Sequence, residues 1–413
     1  MSTAAGPSLA NGAFPDEFSI HFPANAPHRI FIGANFGLLV SEDDGGTWRY
    51  SCEPWVVSSS NAALSNENVS FYQVTADGAV LADSVTLTRS ADVACTWPTA
   101  TGSVTGAAVT DMFADPNDAN LVLAIVVTST GSYIVASHNG GVSFEDPHLY
   151  DTQNDTHDLL TGIEIARSTP GVVYATSVST SGGAGKFLVS TAAGAPGSWT
   201  PSALPIDSAT QPRILSVDPS DAKKVYLRLL SGPSDSMMVT ADGGKTFDKV
   251  LTISGRFSSF LRAGDGSLYA GQDIGKLWVW PVGAAGFENT PRAAPHLRCL
   301  GQRPGSQRIY GCADMLVDGF SLAYSDDSGA TFHPVMSFTQ ILGPLTCVPV
   351  KTNCEPHWER IQGVLGIGAA ADAGQGNVGG NPSPGGGSHC GSVGAGAAAL
   401  FILLAFSVRR AKS

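Results

Sequence analysis

The sequence predicts an all-β fold, a seven-bladed β-propeller, on three observations. An eight-residue pattern, S-x-D-x-G-x-T-W, recurs along the 413-residue chain at intervals near 50 residues. A turn followed by a β-rich run recurs seven times with a similar period. The composition, with 48 glycines and 14% charged residues, suits short strands joined by tight turns, because glycine adopts positive φ without steric cost.

The eight-residue pattern, which we call the repeat box, has copies that start at residues 41, 90, 137, 190, 240 and 325. Four of the five intervals between these starts are 47–53 residues long, and the last is 85. One copy has Asn139 in place of Asp, and another has Ala94 in place of glycine. The copy from Ser190 to Trp199 contains a two-residue insertion. The long interval has room for one more unit, around Trp278 to Phe287.

The β-rich runs mark each repeat a second time. The first begins at Ile30 and the seventh at Ile309, so 279 residues cover six intervals of 46.5 residues. Four short antiparallel strands in a unit of this length are typical of a propeller blade, whereas β-helix repeats are shorter. The alternation in Phe18-Ser-Ile20-His-Phe22 fits an inner strand with one face on each neighbouring blade. We expect no amphipathic helix before the C-terminal tail.

The repeat box resembles the Asp-box (BNR) repeat of bacterial sialidases and other extracellular propellers, over roughly residues 15–350. In such a hairpin the Asp carboxylate can accept backbone N–H groups, and the aromatic ring packs over the turn. In that family the boxes lie on the outer rim, away from the active face, so the resemblance implies a structural role for them. The box residues with this implied role are Ser41, Asp43, Gly45, Thr47, Trp48, Asp92, Trp97, Asn139, Gly141, Phe144, Asp242, Gly244, Thr246, Phe247, Asp327, Gly329, Thr331 and Phe332.

Function in a propeller is expected around the central channel, where the inner strands begin. Asp111 and Glu164 fall on consecutive blades and are a candidate carboxylate pair for glycosidic cleavage, with Arg213 as a third candidate. The alternative is that these groups are solvated or ion-paired, because ionisable groups normally lie at wet surfaces. The sialidase motif Arg-Ile-Pro has its nearest match in Arg29-Ile30-Phe31, which lacks the proline. The short loops between second and third strands predict a shallow face. The polar residues near the predicted strand starts are Glu17, Tyr72, Asp111, Glu164, Arg213 and His296.

Seven cysteines are present, and six of them fall into local pairs in the sequence. Local spacing in an acidic chain rich in glycine and serine favours disulfides over free buried thiols, with the expected pairs Cys52/Cys95, Cys299/Cys312 and Cys347/Cys354. No spacing gives the CxxC pairs of a zinc site, and we expect no metal and no cofactor. The loop Asp146–Asp158 carries five groups able to bind a cation, but a solvated surface loop explains it more simply. Those five are His148, Asp151, Asp155, His157 and Asp158.

The two ends of the chain carry the features that predict its cellular location. Residues 1–14 show no apolar signal region, but Ser8-Leu9-Ala10 is typical of the end of a cleavage site, so we expect a signal remnant. Residues 368–389 form a Gly/Pro/Ser-rich linker. Residues 390–413 combine Cys390, an apolar run and an Arg cluster, which predicts one transmembrane helix with its basic end in the cytoplasm. This tail resembles the C-terminal sorting signal of myxobacterial surface proteins, which implies processing and lipid attachment at Cys390.

The predicted protein is therefore a propeller over residues 15–367, anchored to the extracellular face of a bacterial envelope. The chain has a net charge of −12 and lacks the basic surface expected of a nucleic-acid binder. We expect a monomeric binding or scaffold module for a glycan or protein ligand at the channel face, with the membrane as a second partner through the tail. The alternatives are an Asp-box glycoside hydrolase acting on extracellular glycans, and an assembly factor like the Asp-box propeller that helps to build photosystem II.

Overall fold

Seven sheets surround a central channel as the blades of a β-propeller, as the sequence predicts. The computed structural model of the chain describes residues 17–57, 71–83, 86–129, 131–145, 148–152 and 158–367. The chain enters each blade by its innermost strand and moves outward through antiparallel neighbours. The ends of successive strands therefore alternate between the two faces of the ring.

The first three blades are built from β1 (Glu17–His21), β2 (Ile30–Ala34), β3 (Gly37–Ser41) and β4 (Trp48–Cys52); β5 (Phe71–Val74), β6 (Val80–Asp83) and β7 (Leu87–Ser90); and β9 (Ala108–Ala114), β10 (Val122–Thr128), β11 (Gly131–Ser137) and β13 (Tyr150–Asp151). Blades 4 and 5 are built from β14 (Leu159–Ile165), β15 (Val173–Val178), β16 (Lys186–Ser190) and β17 (Trp199–Ala203); and β18 (Gln211–Asp218), β19 (Asp221–Ser231), β20 (Ser234–Thr240) and β21 (Asp248–Ser254). Blades 6 and 7 are built from β22 (Ser259–Arg262), β23 (Leu268–Gln272), β24 (Lys276–Trp280) and β25 (Arg292–Ala293); and β26 (Leu297–Gln302), β27 (Ile309–Ala313), β28 (Leu322–Ser325) and β29 (His333–Met336).

The remaining elements lie outside these sheets or extend them. Strand β8 (Thr101–Gly102) pairs in parallel with β12 (Ser143–Phe144), so the segment after the second repeat box leaves its own blade and joins the third. Blade 2 therefore has three strands among the described residues, not the four expected of each unit. The other elements are strand β30 (Ile341–Pro344) and the helices α1 (Glu53–Val56), α2 (Met315–Asp318) and α3 (Val348–Leu365).

The apolar core is divided among the junctions between blades. In the described part of the chain, seven clusters of buried side chains each join two adjacent blades. Ile125 and Ile163, for example, join blades 3 and 4, and both are fully buried. Because each sheet is covered on both faces, every residue of β2, β23 and β27 is buried. Each fully buried Ile contributes about 1.5–3 kcal/mol to stability.

A fifth strand and a helix cover the junction between the last blade and the first. Strand β30 pairs in parallel with the outer strand β4, where Arg49 Nη1 donates to Pro344 O at 2.9 Å. Helix α3 then packs Trp358 against Tyr50, with ring centroids 5.4 Å apart. The expectation of no helix before the tail was wrong. Few apolar residues mark its buried face, and Pro356 lies inside its sequence. The buried residues of α3 are Val350, Cys354, Trp358 and Leu365.

Three disulfides form, but two of the three expected pairings were wrong. Cys299–Cys312 joins neighbouring strands of blade 7, as expected. Cys52 of blade 1 bonds Cys354 of α3, 302 residues away. Cys95 of the second repeat box bonds Cys347, at the start of α3, 252 residues away. The local pairing failed because closing the ring brings the C-terminal helix beside blades 1 and 2. Cys390 lies outside the described residues.

The repeat boxes are hairpins between third and fourth strands, tied by side-chain hydrogen bonds. In blade 1 the carboxylate of Asp43 accepts bonds from Thr47 N and Thr47 Oγ1, each at 2.8 Å. Ser41 Oγ accepts from Gly45 N at 2.8 Å, and the indole of Trp48 donates to Gly45 O at 3.0 Å. The bonds to the carboxylate and to the first hydroxyl recur around Asp242 and Asp327, where phenylalanine takes the place of the tryptophan. These hydrogen bonds join residues within the turn, so its conformation does not depend on residues of the central channel.

The divergent copies keep the same turn by other means. Asn139 accepts from Ser143 N at 2.9 Å, and its amide Nδ2 donates to Ser143 Oγ at 2.8 Å. Ala94 occupies the glycine position with φ +67°, a left-handed conformation that costs a non-glycine residue about 1–2 kcal/mol. Blade 6 has no repeat box. The unit expected around Trp278 to Phe287 is nevertheless present, and Trp280 Nε1 there donates to Ala284 O at 3.0 Å.

The box carboxylates predict a loss of stability in acid. Hydrogen bonds from Thr246 and Thr331, through side chain and backbone, hold the pKa values of Asp242 and Asp327 below their usual value of 3.8. A depressed folded-state pKa contributes stability above the unfolded pKa, and that stability is lost as pH falls through the folded pKa. We expect the urea midpoint of unfolding to decrease as the pH is lowered from 4 to 2. The decrease should be smaller in the double variant Asp242→Asn/Asp327→Asn. Asp248→Asn, at an exposed position, is the control. An equal reduction of the pH dependence of the urea midpoint by this variant would contradict the prediction.

Candidate functional site

The central channel opens into two cavities, one at each face of the ring. A cavity of about 60 Å³ lies where the inner strands of blades 2 to 6 begin, and we call it the start-side cavity. A cavity of about 280 Å³ lies where the inner strands of all seven blades end, and we call it the end-side cavity. The sequence directed attention to the strand starts, but the larger cavity lies at the strand ends.

The two candidate carboxylates line different cavities. Asp111 lines the start-side cavity, and its Oδ2 accepts a bond from Ile163 N of the next blade at 2.9 Å. Glu164 lines the end-side cavity, and its Oε1 accepts from Val217 N of the next blade at 2.7 Å. Each carboxylate therefore bonds one inner strand to its neighbour. The fold does not bring the two groups to one cavity, as cleavage by an acid and base pair requires.

The third candidate, Arg213, lies opposite Arg228 in the ladder between β18 and β19, and both line the start-side cavity. Arg228 is 3% exposed and pairs with the fully buried Asp235. Asp235 also accepts bonds from Arg256 Nη1 and Phe257 N, each at 2.9 Å. Burial lowers the pKa of Arg228, while Asp235 favours its charged form. This network links the second strand of blade 5 to the loop that enters blade 6.

Other polar residues singled out from the sequence lie apart from one another. Tyr72 lines the start-side cavity, and Glu17 begins β1. His296 Nδ1 contacts Asp318 Oδ1 at 3.0 Å, beside the loop that carries α2. Arg29 pairs with Glu42 at 2.7 Å, next to the first repeat box.

The loop considered for cation binding holds its described side chains in separate contacts. His148 stacks on Tyr133 with centroids 3.7 Å apart and contacts Asp151 at 2.9 Å. Asp158 is buried and pairs with Lys186 at 2.9 Å. Asp155 and His157 lie outside the described residues. Among the residues that the structure covers, no group of three potential metal ligands is present.

The lining of the end-side cavity includes three phenylalanine rings and several strong hydrogen-bond donors. Arg262 of blade 6 donates to Asp218 of blade 5, with Nε at 3.1 Å and Nη2 at 3.2 Å. Arg303 of blade 7 lies over the ring of Phe22, 5.1 Å from its centroid, and pairs with Asp44 at 2.7 Å. His21 is 3% exposed, and burial lowers its pKa to about 4, so its ring is neutral at pH 7. The cavity thus combines apolar surface with polar groups set at fixed points, as small-ligand sites do.

Sequence reasoning missed His21 and Arg303. One signal for His21 was available, because the alternation in β1 places it on the opposite strand face from Ile20 and Phe22. Arg303 follows β26 in a turn, Arg303-Pro-Gly305, that reads as an ordinary connection. That both line one cavity depends on the closure of blade 7 onto blade 1.

The structure is similar to known propellers, while no protein-family model and no curated protein matches the sequence. YCF48 from Cyanidioschyzon merolae has a TM-score of 0.51 and 17% identity, covering 73% of this chain and 93% of that one. Kuenenia stuttgartiensis hydrazine synthase has a TM-score of 0.54 and 8% identity, covering 77% and 99%. The Niastella koreensis GH74 enzyme has a TM-score of 0.45 and 15% identity, covering 77% and 58%. At these identities the similarity to the first two of these structures shows the β-propeller fold and nothing more about this chain.

Proposed function

We propose that the chain is a cell-surface binding or scaffold module for a glycan or protein partner, with the end-side cavity as its ligand site. One observation carries this proposal: all seven blades contribute to that cavity, whereas Asp111 and Glu164 each bond a neighbouring strand. A cavity built on rigid strands can hold a ligand without moving, which limits the entropic cost of binding. The same arrangement gives no support to a hydrolase that relies on Asp111 and Glu164.

The proposed location at the cell surface rests on the disulfides and on the C-terminal tail. Three disulfides indicate an oxidising, extracellular environment. No helix in the described ranges has the length and apolarity to cross a membrane, and the apolar run from Val393 to Val408 lies outside those ranges. Anchoring through residues 390–413 and membership of the Asp-box group are part of this proposal. Replacement of Cys390 by Ala, followed by cell fractionation, tests the anchor, and unchanged surface retention would count against it.

The ligand site is tested by blocking the cavity. Gly264 lines the end-side cavity just after β22, the inner strand of blade 6, and a Cβ atom there would meet Gln302 Oε1 at an ordinary 3.4 Å. We expect Gly264→Trp in the full chain to reduce binding to an array of neutral and acidic polysaccharides and immobilised envelope proteins at least tenfold. Gly286→Trp, placed in open space on the same blade, is the control and should bind normally.

Two outcomes would contradict the proposal. Equal binding by the Gly264→Trp and wild-type chains would place the ligand elsewhere. Release of reducing sugar from the polysaccharides by the wild-type chain, lost in Asp111→Asn/Glu164→Gln with the fold intact by circular dichroism, would establish the hydrolase instead. We expect no such release.

A further inference from the structure

Two residues that line the end-side cavity each carry a buried nitrogen atom with no hydrogen-bond partner among the described residues. These atoms are His21 Nε2 of blade 1 and Arg303 Nη1 of blade 7. Burial of a polar group without a hydrogen-bond partner destabilises the fold, and more so when the group is charged. A fold that carries two such groups in one cavity therefore gains when a ligand or a water molecule satisfies them.

The surroundings of Arg303 restrict what that ligand can be. Its Nη2 already pairs with Asp44 at 2.7 Å, and its guanidinium lies over Phe22, so the group is held in one orientation. The unsatisfied Nη1 of a guanidinium held in this way is suited to an oxyanion, because charge-assisted bonds are stronger than neutral ones.

The balance of charges at the cavity favours a singly charged oxyanion. Glu164 and Arg167 both line the cavity, and Asp218, next to the lining residue Pro219, pairs with Arg262. Nearby carboxylates penalise a doubly charged group such as phosphate more than a carboxylate. His21, neutral at pH 7, can add one bond to a hydroxyl or carbonyl oxygen of the same ligand.

We propose that the end-side cavity binds the carboxylate of a ligand about the size of one sugar or one amino-acid residue, through Arg303 with His21 as a second contact. This inference rests on the proposed function, because it names the chemistry of the same site. The cavity volume of about 280 Å³ limits the bound part to one such residue. An acidic sugar and an acidic side chain share this chemistry.

The test is isothermal titration of the full chain with five probes, namely two acidic probes, their two neutral counterparts and inorganic phosphate. D-glucuronate and N-acetyl-L-glutamate amide carry the carboxylate, and D-glucose and N-acetyl-L-glutamine amide are their neutral counterparts. We expect at least one acidic probe to bind tenfold or more tightly than its neutral counterpart, and which one binds identifies the source. Inorganic phosphate should bind more weakly than the preferred acidic probe.

Three variants separate the site from the fold. Arg303→Gln should weaken the binding of the acidic probe tenfold or more. Arg308→Gln is the matched control, because Arg308 also pairs with an exposed carboxylate, Asp326, and lies over a ring, Tyr324, outside the cavity. His21→Phe should weaken binding threefold or more without lowering the unfolding midpoint, because it removes an unsatisfied polar atom from a buried position.

The outcomes distinguish this inference from the proposed function. Equal affinity for acidic and neutral probes, or no binding of any probe, overturns the carboxylate site. Unchanged affinity in Arg303→Gln overturns it as well. If polysaccharide or protein binding is still lost in Gly264→Trp, the cavity remains the ligand site while the carboxylate inference fails.

Discussion

Replacement of Cys347 and Cys354 by serine is expected to lower the free energy of unfolding by about 5 kcal/mol, since each long disulfide contributes about 2–4 kcal/mol. The two bonds close loops of 302 and 252 residues, so their loss frees most of the unfolded chain. They also fix α3 beside blades 1 and 2, where Trp358 packs on Tyr50. Urea unfolding of the variant and the wild-type chain measures the effect.

The third disulfide provides the control. Cys299 and Cys312 are 13 residues apart, so the chain-entropy model assigns their bond about 3 kcal/mol. We expect Cys299→Ser/Cys312→Ser to lose less stability than the variant that frees α3. Added reductant should shift the wild-type midpoint toward that of the α3 variant. A larger loss in the blade 7 variant would show that closure of the ring depends on strand pairing and not on the C-terminal disulfides.

Replacement of Asp235 by Ala is expected to cost about 3–5 kcal/mol, because it leaves the guanidinium of Arg228 buried without its counter-ion. The same change removes acceptors from Arg256 Nη1 and Phe257 N. The loss should appear as a lower urea midpoint, with hydrogen exchange increased first in β19 and in the loop entering blade 6.

An exposed ion pair on the same protein gives the comparison. Asp326 pairs with Arg308 at 2.8 Å, and both side chains are more than a third exposed. Exposed pairs contribute about 0–1 kcal/mol, so Asp326→Ala should cost at most about 1 kcal/mol. Similar losses in the two variants would mean that the buried network does not hold blades 5 and 6 together.

The prediction of the fold succeeded because a propeller repeats one local pattern. Apart from the copy with the insertion, each repeat box forms its turn with bonds between residues four apart or fewer, such as Gly45 N to Ser41 Oγ. Short-range chemistry of this kind is readable from the order of residues. Blade 6 was found without a box, since the period left room for one unit around Trp278 to Phe287.

The candidate site was harder to predict because it depends on how the blades face one another. Asp111 and Glu164 look like a pair in the sequence, but each accepts a backbone bond from the next blade and lines a different cavity. His21 and Arg303 look unremarkable in the sequence, yet both line the end-side cavity. No local pattern distinguishes a carboxylate that tethers two strands from one that meets a ligand.

The sequence by itself determined the architecture: seven all-β units, their period and the turns that define them. These follow from local rules, because alternation, glycine turns and side-chain hydrogen bonds act over a few residues. The tertiary structure decided what depends on ring closure. It set the disulfide partners of Cys52 and Cys95, the helix α3 that holds those partners, and the meeting of blades 1 and 7 at the end-side cavity. Residues some 280 positions apart become neighbours there because the ring closes, and no local signal in the chain encodes that contact.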